Sequence, residues 1–124
     1  MKECSVMYEI KHVTLQRGKQ TKKRYVIEFT DPEQAILGEF LMVDVPLFSG
    51  EILDEITAVL RGDRRWIKGS GNRSSWDIDR HVAVISDVFI ETGDDIPTMP
   101  TCTIQTEHLY DLVEMWLRKI GKNG

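Results

Sequence analysis

The chain has 124 residues, of which 41% are hydrophobic and 29% are charged, and its formal net charge is −4. This length predicts one domain, residues 1–124, large enough to bury a hydrophobic core without disulfides or metals. The composition excludes disordered and fibrous proteins, and no stretch approaches the roughly 18 consecutive apolar residues that span a bilayer.

The N-terminal sequence and the cysteines favour an intracellular protein. After Met1 the sequence alternates between polar and apolar residues instead of forming an apolar block, so we expect no signal peptide and a cytoplasmic location. Cys4 and Cys102 are the only cysteines. Neither belongs to a C-x-x-C pair or lies near a histidine in sequence, which predicts reduced thiols and no structural zinc site.

The first third of the chain has the two-residue periodicity of β-strands. The apolar residues of segment 5–16 change parity near its middle, which predicts a strand with a bulge near Lys11–His12. A polar turn at residues 18–21 and renewed alternation from Tyr25 to Phe29 complete a predicted hairpin. The apolar run Phe40–Val45 predicts a central strand covered on both faces, and Pro46 would end it.

An amphipathic helix is predicted next. Ser49 can cap this helix, which begins at Gly50 or Glu51 and ends at Gly62. Its apolar residues fall on a single stripe: Ile52, Leu53, Ile56, Val59 and Leu60.

Further strands follow, and then a second helix. The strands are predicted at Trp66-Ile67, around Trp76, at Val82–Phe89 and at Cys102–Ile104, with a turn at residues 69–72 and a polar loop at Glu91–Pro100. Thr106 can cap the last helix and Gly121 can end it, and its core-facing stripe includes Trp116. The order β-β-β-α-β-β-β-α predicts an α+β fold, a mainly antiparallel sheet of about five or six strands with two helices packed on it.

The histidines lack the surroundings that catalysis needs. Those residues are His12, His81 and His108. The dipeptide Ser86-Asp87 lies near His81 in sequence, but on a strand the side chains of Ser86 and Asp87 point to opposite faces. The sequence also contains no nucleophile elbow. The Gly69–Gly71 segment lacks the strand–loop–helix context of a phosphate-binding loop.

A metal site is equally unsupported. Asp77, Asp79 and Asp87 lack the ligand spacing and the central glycine of a calcium loop. We therefore predict no catalytic residues, no metal and no cofactor.

Charge is strongly segregated along the chain. Residues 1–30 carry a net charge of +4, residues 31–60 carry −7, residues 61–76 carry +4 and residues 77–117 carry −8. Such blocks can select and steer partners. The alternative is that these residues simply form solvated strand and loop faces.

The second basic block is interleaved with aromatic residues, as in grooves that bind single-stranded nucleic acid through phosphate contacts and base stacking. Its members are Arg61, Arg64, Arg65, Trp66, Lys68, Arg73 and Trp76. The competing interpretation places Trp66 and Trp76 in the core, and the usual burial of tryptophan and the acidity of the whole chain favour it.

The second acidic block holds six carboxylates within nineteen residues: Asp77, Asp79, Asp87, Glu91, Asp94 and Asp95. A fold does not need so many like charges close together, because they repel. A surface of this kind can occlude a cationic enzyme and accelerate encounter with it. The competing interpretation is a solubilising strand edge followed by a polar loop.

A pattern in the C-terminal half resembles a known family. It consists of Ser75-Trp76-Asp77-Ile78-Asp79, a hydrophobic strand, an acidic loop, Cys102-Thr103-Ile104-Gln105-Thr106 and the closing helix Leu109–Leu117. Residues 71–120 thereby resemble small bacterial immunity proteins of polymorphic-toxin and contact-dependent growth-inhibition systems. The resemblance implies a protein that binds a cognate toxin in the cytoplasm of the producing cell and blocks it.

Three hypotheses result. The first is an immunity protein that neutralises a secreted toxin domain, with a cationic nuclease as the class that the six acids would suit. The second is a nucleic-acid-binding module that uses residues 61–76, and the third is a small enzyme with an unfamiliar site. The first hypothesis predicts a protein partner and no membrane contact.

Overall fold

A computed structural model describes residues 6–48, 50–92 and 97–121, with the backbone alone at Glu91 and Thr92. Within these residues six strands form two antiparallel sheets, which confirms the predicted α+β class. One sheet is a two-stranded ribbon, and the other has four strands in sequence order. The strands are β1 (Tyr8–Arg17), β2 (Gln20–Phe29), β3 (Trp66–Ser70), β4 (Ser74–Asp79), β5 (Val82–Asp87) and β6 (Cys102–Gln105).

The ribbon of β1 and β2 is regular throughout. Its residues pair one to one from Tyr8 opposite Phe29 to Arg17 opposite Gln20, so the predicted bulge near Lys11–His12 is wrong. The prediction assumed that every apolar residue of β1 must face the core. The outer half of the ribbon instead extends into solvent. There the apolar residues of β1 can lie on either face, so no bulge is needed to turn them toward the core.

The segment predicted as a central strand is helical. A short 3-10 turn (Pro32–Gln34) leads into α1 (Ala35–Glu39), a π-helical turn (Phe40–Asp44) and α2 (Val45–Phe48) without interruption. The prediction is wrong because a helix that is buried on all sides is apolar at both parities, just like a buried strand. The fully buried side chains of this helical segment are Ile36, Leu37, Phe40, Leu41, Asp44 and Val45.

Two longer helices flank the buried one. Helix α3 (Glu51–Arg61) and helix α4 (Thr106–Ile120) end at Gly62 and Gly121, whose φ angles of 83° and 79° lie in the left-handed region that glycine adopts readily. Both predicted ends are thereby confirmed. The predicted cap Ser49 lies outside the described residues. Thr106 does not cap α4, because its hydroxyl donates to the carbonyl of Asp79 at 2.7 Å.

The core lies between the helices and one face of the four-stranded sheet. Every second residue of the strands enters it, including Ile67, Ile78 and Ile85, while the predicted anchor Trp116 of α4 is confirmed as buried at 2% exposure. Cys102 is also buried, whereas Cys4 lies outside the described residues. Within those residues no helix combines the length and the hydrophobicity required to cross a bilayer.

Candidate functional site

The face of the four-stranded sheet that points away from the helices is open to solvent. It consists of the residues that alternate with the core residues along each strand, and their side chains are exposed or half-buried. We call it the open sheet face and define it by Trp66, Lys68, Asp77, Asp79, Val82, Val84, Thr103 and Gln105. Large apolar side chains on this face are exposed to solvent: Trp66 is 51% exposed and Val82 is 38% exposed.

Of the two tryptophans of the basic block, one is buried and the other is exposed. Trp76 packs in the core, with its ring centroid 5.3 Å from that of Phe40, and it crosses so close to Gly69 that a Cβ there would lie 2.7 Å from the indole nitrogen. Trp66 pairs with Asp79 on the outward parity, so its predicted core position is wrong. The register permits only one of these rings to face the helices.

Asp77 and Asp79 are the members of the predicted acidic site that lie on the open sheet face. Asp77 forms a cross-strand ion pair with Lys68 at 3.7 Å, and the side chains of both residues are more than half exposed. The carboxylate of Asp79 closes the β4–β5 turn by accepting the N–H groups of Val82 and His81 at 2.8 and 2.7 Å. These two hydrogen bonds lower the pKa of Asp79 below its ordinary value.

Asp87 lies inside the protein. The residue is 2% exposed. Its carboxylate contacts the guanidinium of Arg73 at 2.6 Å and accepts the N–H groups of Phe89 and Met99 at 2.9 Å each. Burial alone would raise the pKa of Asp87, but these three donors together hold it below its ordinary value. Asp87 is therefore an internal anchor and cannot present its carboxylate to a partner's surface.

The structure therefore does not assemble the six acids into one surface. The backbone of Glu91 belongs to the 3-10 turn Val88–Thr92, but its side chain lies outside the description, as do Asp94 and Asp95 entirely. A role for these three acids in toxin binding stays a prediction. Two carboxylates of the predicted site, those of Asp77 and Asp79, are placed together on a described, accessible surface.

The basic block is likewise divided between surface and interior. A shallow cleft of about 400 Å³ beside the open sheet face is lined by Arg64, Arg65, Trp66 and Lys68. Arg73 is turned inward, where it contacts Asp87 and also Glu39 at 3.4 Å. Arg73 is turned inward and the ring of Trp76 lies in the core. Residues 61–76 therefore do not form the continuous groove of cations and stacking rings that single-stranded nucleic acid requires.

The most deeply buried acid among the described residues was not predicted from the sequence. Asp44 is 0% exposed and accepts hydrogen bonds from the N–H groups of Asn72 and Ser74 at 2.7 Å each, and from the Ser74 hydroxyl at 2.5 Å. A Cβ on Gly71 would overlap its Oδ1 atom. Asp44 therefore fixes the β3–β4 turn. The signal in the sequence was an acid within an apolar run, since a buried carboxylate needs donors.

Chemistry-bearing side chains are otherwise dispersed. His12 stacks on Tyr25 with ring centroids 5.0 Å apart, and His81 and His108 are exposed. Ser86 is half-buried and Asp87 is buried on the other side of β5, as predicted. Among the described residues, no three His, Cys, Asp or Glu side chains lie close enough together to hold a metal ion. What the described surface offers is an exposed tryptophan, aliphatic groups and paired charges, which are means of binding a protein.

Comparison with known proteins links the chain to a bacterial relative. A protein of Bacillus cereus described as "Immunity protein" is 31% identical over 87 residues, which cover 70% of this chain and 71% of the relative. No protein-family model matches the chain, and no solved structure matches it significantly.

Proposed function

This chain belongs to the family of bacterial immunity proteins, and on that premise we propose that it binds a cognate secreted toxin domain in the cytoplasm of the producing cell and blocks its activity. The inhibition requires contact and no chemistry. A protein that must recognise one toxin needs an accessible, well-ordered surface, and the open sheet face is such a surface.

The exposed side chain of Trp66 is the observation that carries this assignment. An indole that is 51% exposed on a sheet face is a poor arrangement for an isolated protein, because its apolar surface stays in water. Tryptophan and arginine are enriched among the residues that dominate binding energy at interfaces. Trp66 lies beside Arg64 and Arg65 in the same cleft, and aliphatic Val82 is exposed on the same sheet face.

The carboxylates of the open sheet face supply the electrostatic part of the proposal. A nuclease domain must attract phosphate, so it carries cationic surface, and Asp77 and Asp79 offer the opposite charge. The predicted loop acids Glu91, Asp94 and Asp95 would extend this attraction. A nuclease is therefore the toxin class to test first.

The direct test is neutralisation. The toxin domain encoded next to this gene is expressed under a tight promoter with and without this chain, and survival and complex formation are measured. Cells that carry the chain should survive, and the two purified domains should form a complex. If the chain neither protects the cells nor binds the domain, the proposed function is wrong.

A matched pair of variants tests the surface. Trp66→Ala should raise the Kd for the toxin about 30-fold or more, since central aromatic residues contribute roughly 2 kcal/mol or more on truncation. Leu47→Ala serves as the control, because Leu47 is similarly exposed, at 58%, but lies on α2 and not on the sheet. Equal affinities of both variants and the parent protein would place the toxin on another surface.

A further inference from the structure

The ribbon of β1 and β2 extends away from the rest of the protein. All side chains from Lys11 to Arg24 are exposed, and only the base of the ribbon, around Ile10 and Ile27, packs on the body. Ten residues per strand make the ribbon about 34 Å long. Two-stranded ribbons are marginally stable in water on their own, so such a long one is a costly feature for folding alone.

The outer part of the ribbon carries five cations and no acid: Arg17, Lys19, Lys22, Lys23 and Arg24. None of the five forms an ion pair within the described residues, whereas Lys11 near the base pairs with Glu28 at 3.3 Å. Uncompensated like charges close together repel, so they do not stabilise the ribbon. Their concentration at its exposed end points to a partner.

One face of the ribbon combines these cations with apolar groups. Val13 lies opposite Arg24 and Leu15 lies opposite Lys22, and directly opposed residues of an antiparallel pair share a face. Val13 and Leu15 are 37% and 48% exposed. We call Val13, Leu15, Arg17, Lys22 and Arg24 the arm face. Several of these residues line a cleft of about 910 Å³ on the ribbon.

We propose that the arm face is a second contact with the toxin and that it recognises an acidic surface patch with an apolar centre. This inference rests on the proposed function. Aliphatic groups between the cations suit a protein surface, whereas nucleic acid would call for rings, and the stacked pair His12–Tyr25 lies on the opposite face of the ribbon.

The charge of the remaining protein supports this assignment. Residues 8–29 hold six Lys or Arg and two Glu, and the rest of the chain holds ten Lys or Arg and eighteen Asp or Glu. The body therefore repels an acidic patch, and the ribbon attracts it at a distance from the body. Edge-to-edge pairing of two ribbons would bring their cations together, which disfavours a second copy of this chain as the partner.

The test is the association rate with the purified toxin domain encoded by the adjacent gene, measured for the full chain at low and high salt. The double variant Lys22→Glu/Arg24→Glu should associate about tenfold more slowly at low salt, and the difference should shrink at high salt. The control Arg61→Glu/Arg118→Glu makes the same change in net charge at exposed helix positions outside the ribbon. It should stay within about twofold of the parent protein.

A second variant tests the apolar part. Leu15→Ser keeps every charge, so it should leave the association rate unchanged and raise the dissociation rate about fivefold. Circular dichroism and a melting curve verify that each variant is folded.

The outcomes separate this inference from the proposed function. If the parent protein binds the toxin and the arm double variant associates equally fast, the arm proposal fails while toxin binding stands. If the parent protein does not bind the toxin, both fail. The arm double variant could instead bind the toxin normally and lose binding to a single-stranded oligonucleotide, which would make nucleic acid the occupant of the arm face. If it lost only a dimer of this chain seen by sedimentation, the occupant would be a second copy.

Discussion

Replacing Asp44 by alanine should be among the most destabilising single changes in this protein. Asp44 is fully buried and accepts three short hydrogen bonds, two from backbone N–H groups and one from the Ser74 hydroxyl. A hydrogen bond to a charged group contributes about 1.5–3 kcal/mol, and a buried donor without a partner costs about 1–3 kcal/mol. Water can enter the space that the carboxylate leaves, so we expect a loss of roughly 4 kcal/mol, below the full sum.

Urea denaturation followed by tryptophan fluorescence measures this loss, and a melting curve should show a decrease in Tm of about 15 °C. The control is Asp63→Ala, because Asp63 is an exposed acid whose single ion pair with Arg61, at 3.9 Å, contributes little. Its free energy of unfolding should change by less than about 0.5 kcal/mol. Unfolding free energies of the two variants within about 1 kcal/mol of each other would refute the role assigned to Asp44.

Three further predictions concern the fold and its pH dependence. Trp116→Ala should lower the free energy of unfolding by about 3–5 kcal/mol in urea denaturation, because it removes the largest fully buried side chain of the described residues. Burial raises the pKa of Asp87, but its hydrogen-bond donors and Arg73 hold the folded pKa below the ordinary value. The stability that Asp87 contributes is therefore present above the ordinary pKa and lost as the pH falls through the folded pKa. Urea midpoints measured across this acid range should therefore decline less steeply for Asp87→Asn than for the parent protein. Gly71→Ala should destabilise the protein by about 2 kcal/mol or more, because its Cβ would overlap the Asp44 carboxylate, whereas Gly50→Ala, with no atom within 4 Å, should change the Tm little.

The amphipathic helices could be predicted from the sequence because their pattern is local. The spacing of the apolar residues in α3 and α4 has a unique period, and a glycine ends each helix in the left-handed conformation. The burial of Trp116 follows directly from its place on that stripe.

The helix from Ala35 to Phe48 could not be distinguished in the same way. Its middle is apolar at every position, so its sequence lacks the periodicity that separates helix from strand. Trp66 and Trp76 raise a related difficulty. Both are tryptophans on neighbouring strands, and which one enters the core depends on the β3–β4 register, which residue type alone does not determine.

The acids show why composition was a poor guide to the site. Asp77 and Asp87 belong to the same acidic block, yet one is exposed on the sheet and the other is buried against Arg73. Arg73 itself was counted in the basic block. One member of each block thus pairs with a member of the other inside the fold, and only the three-dimensional pairing shows which charges are left for a partner.

These internal charges also bear on how the open sheet face works. At one end of the sheet, Asp44 holds the β3–β4 turn and Arg73 joins that turn to Asp87 at the end of β5. At the other end, the Asp79 carboxylate closes the β4–β5 turn while its carbonyl accepts the hydroxyl of Thr106 from α4. The strands that carry the face are thereby fixed at both ends to the rest of the fold.

A surface ordered before binding loses little conformational entropy on association, so its exposed tryptophan can contribute more fully to affinity. Within the described residues the ribbon has no such anchors beyond its base, and its cations act first on the rate of encounter.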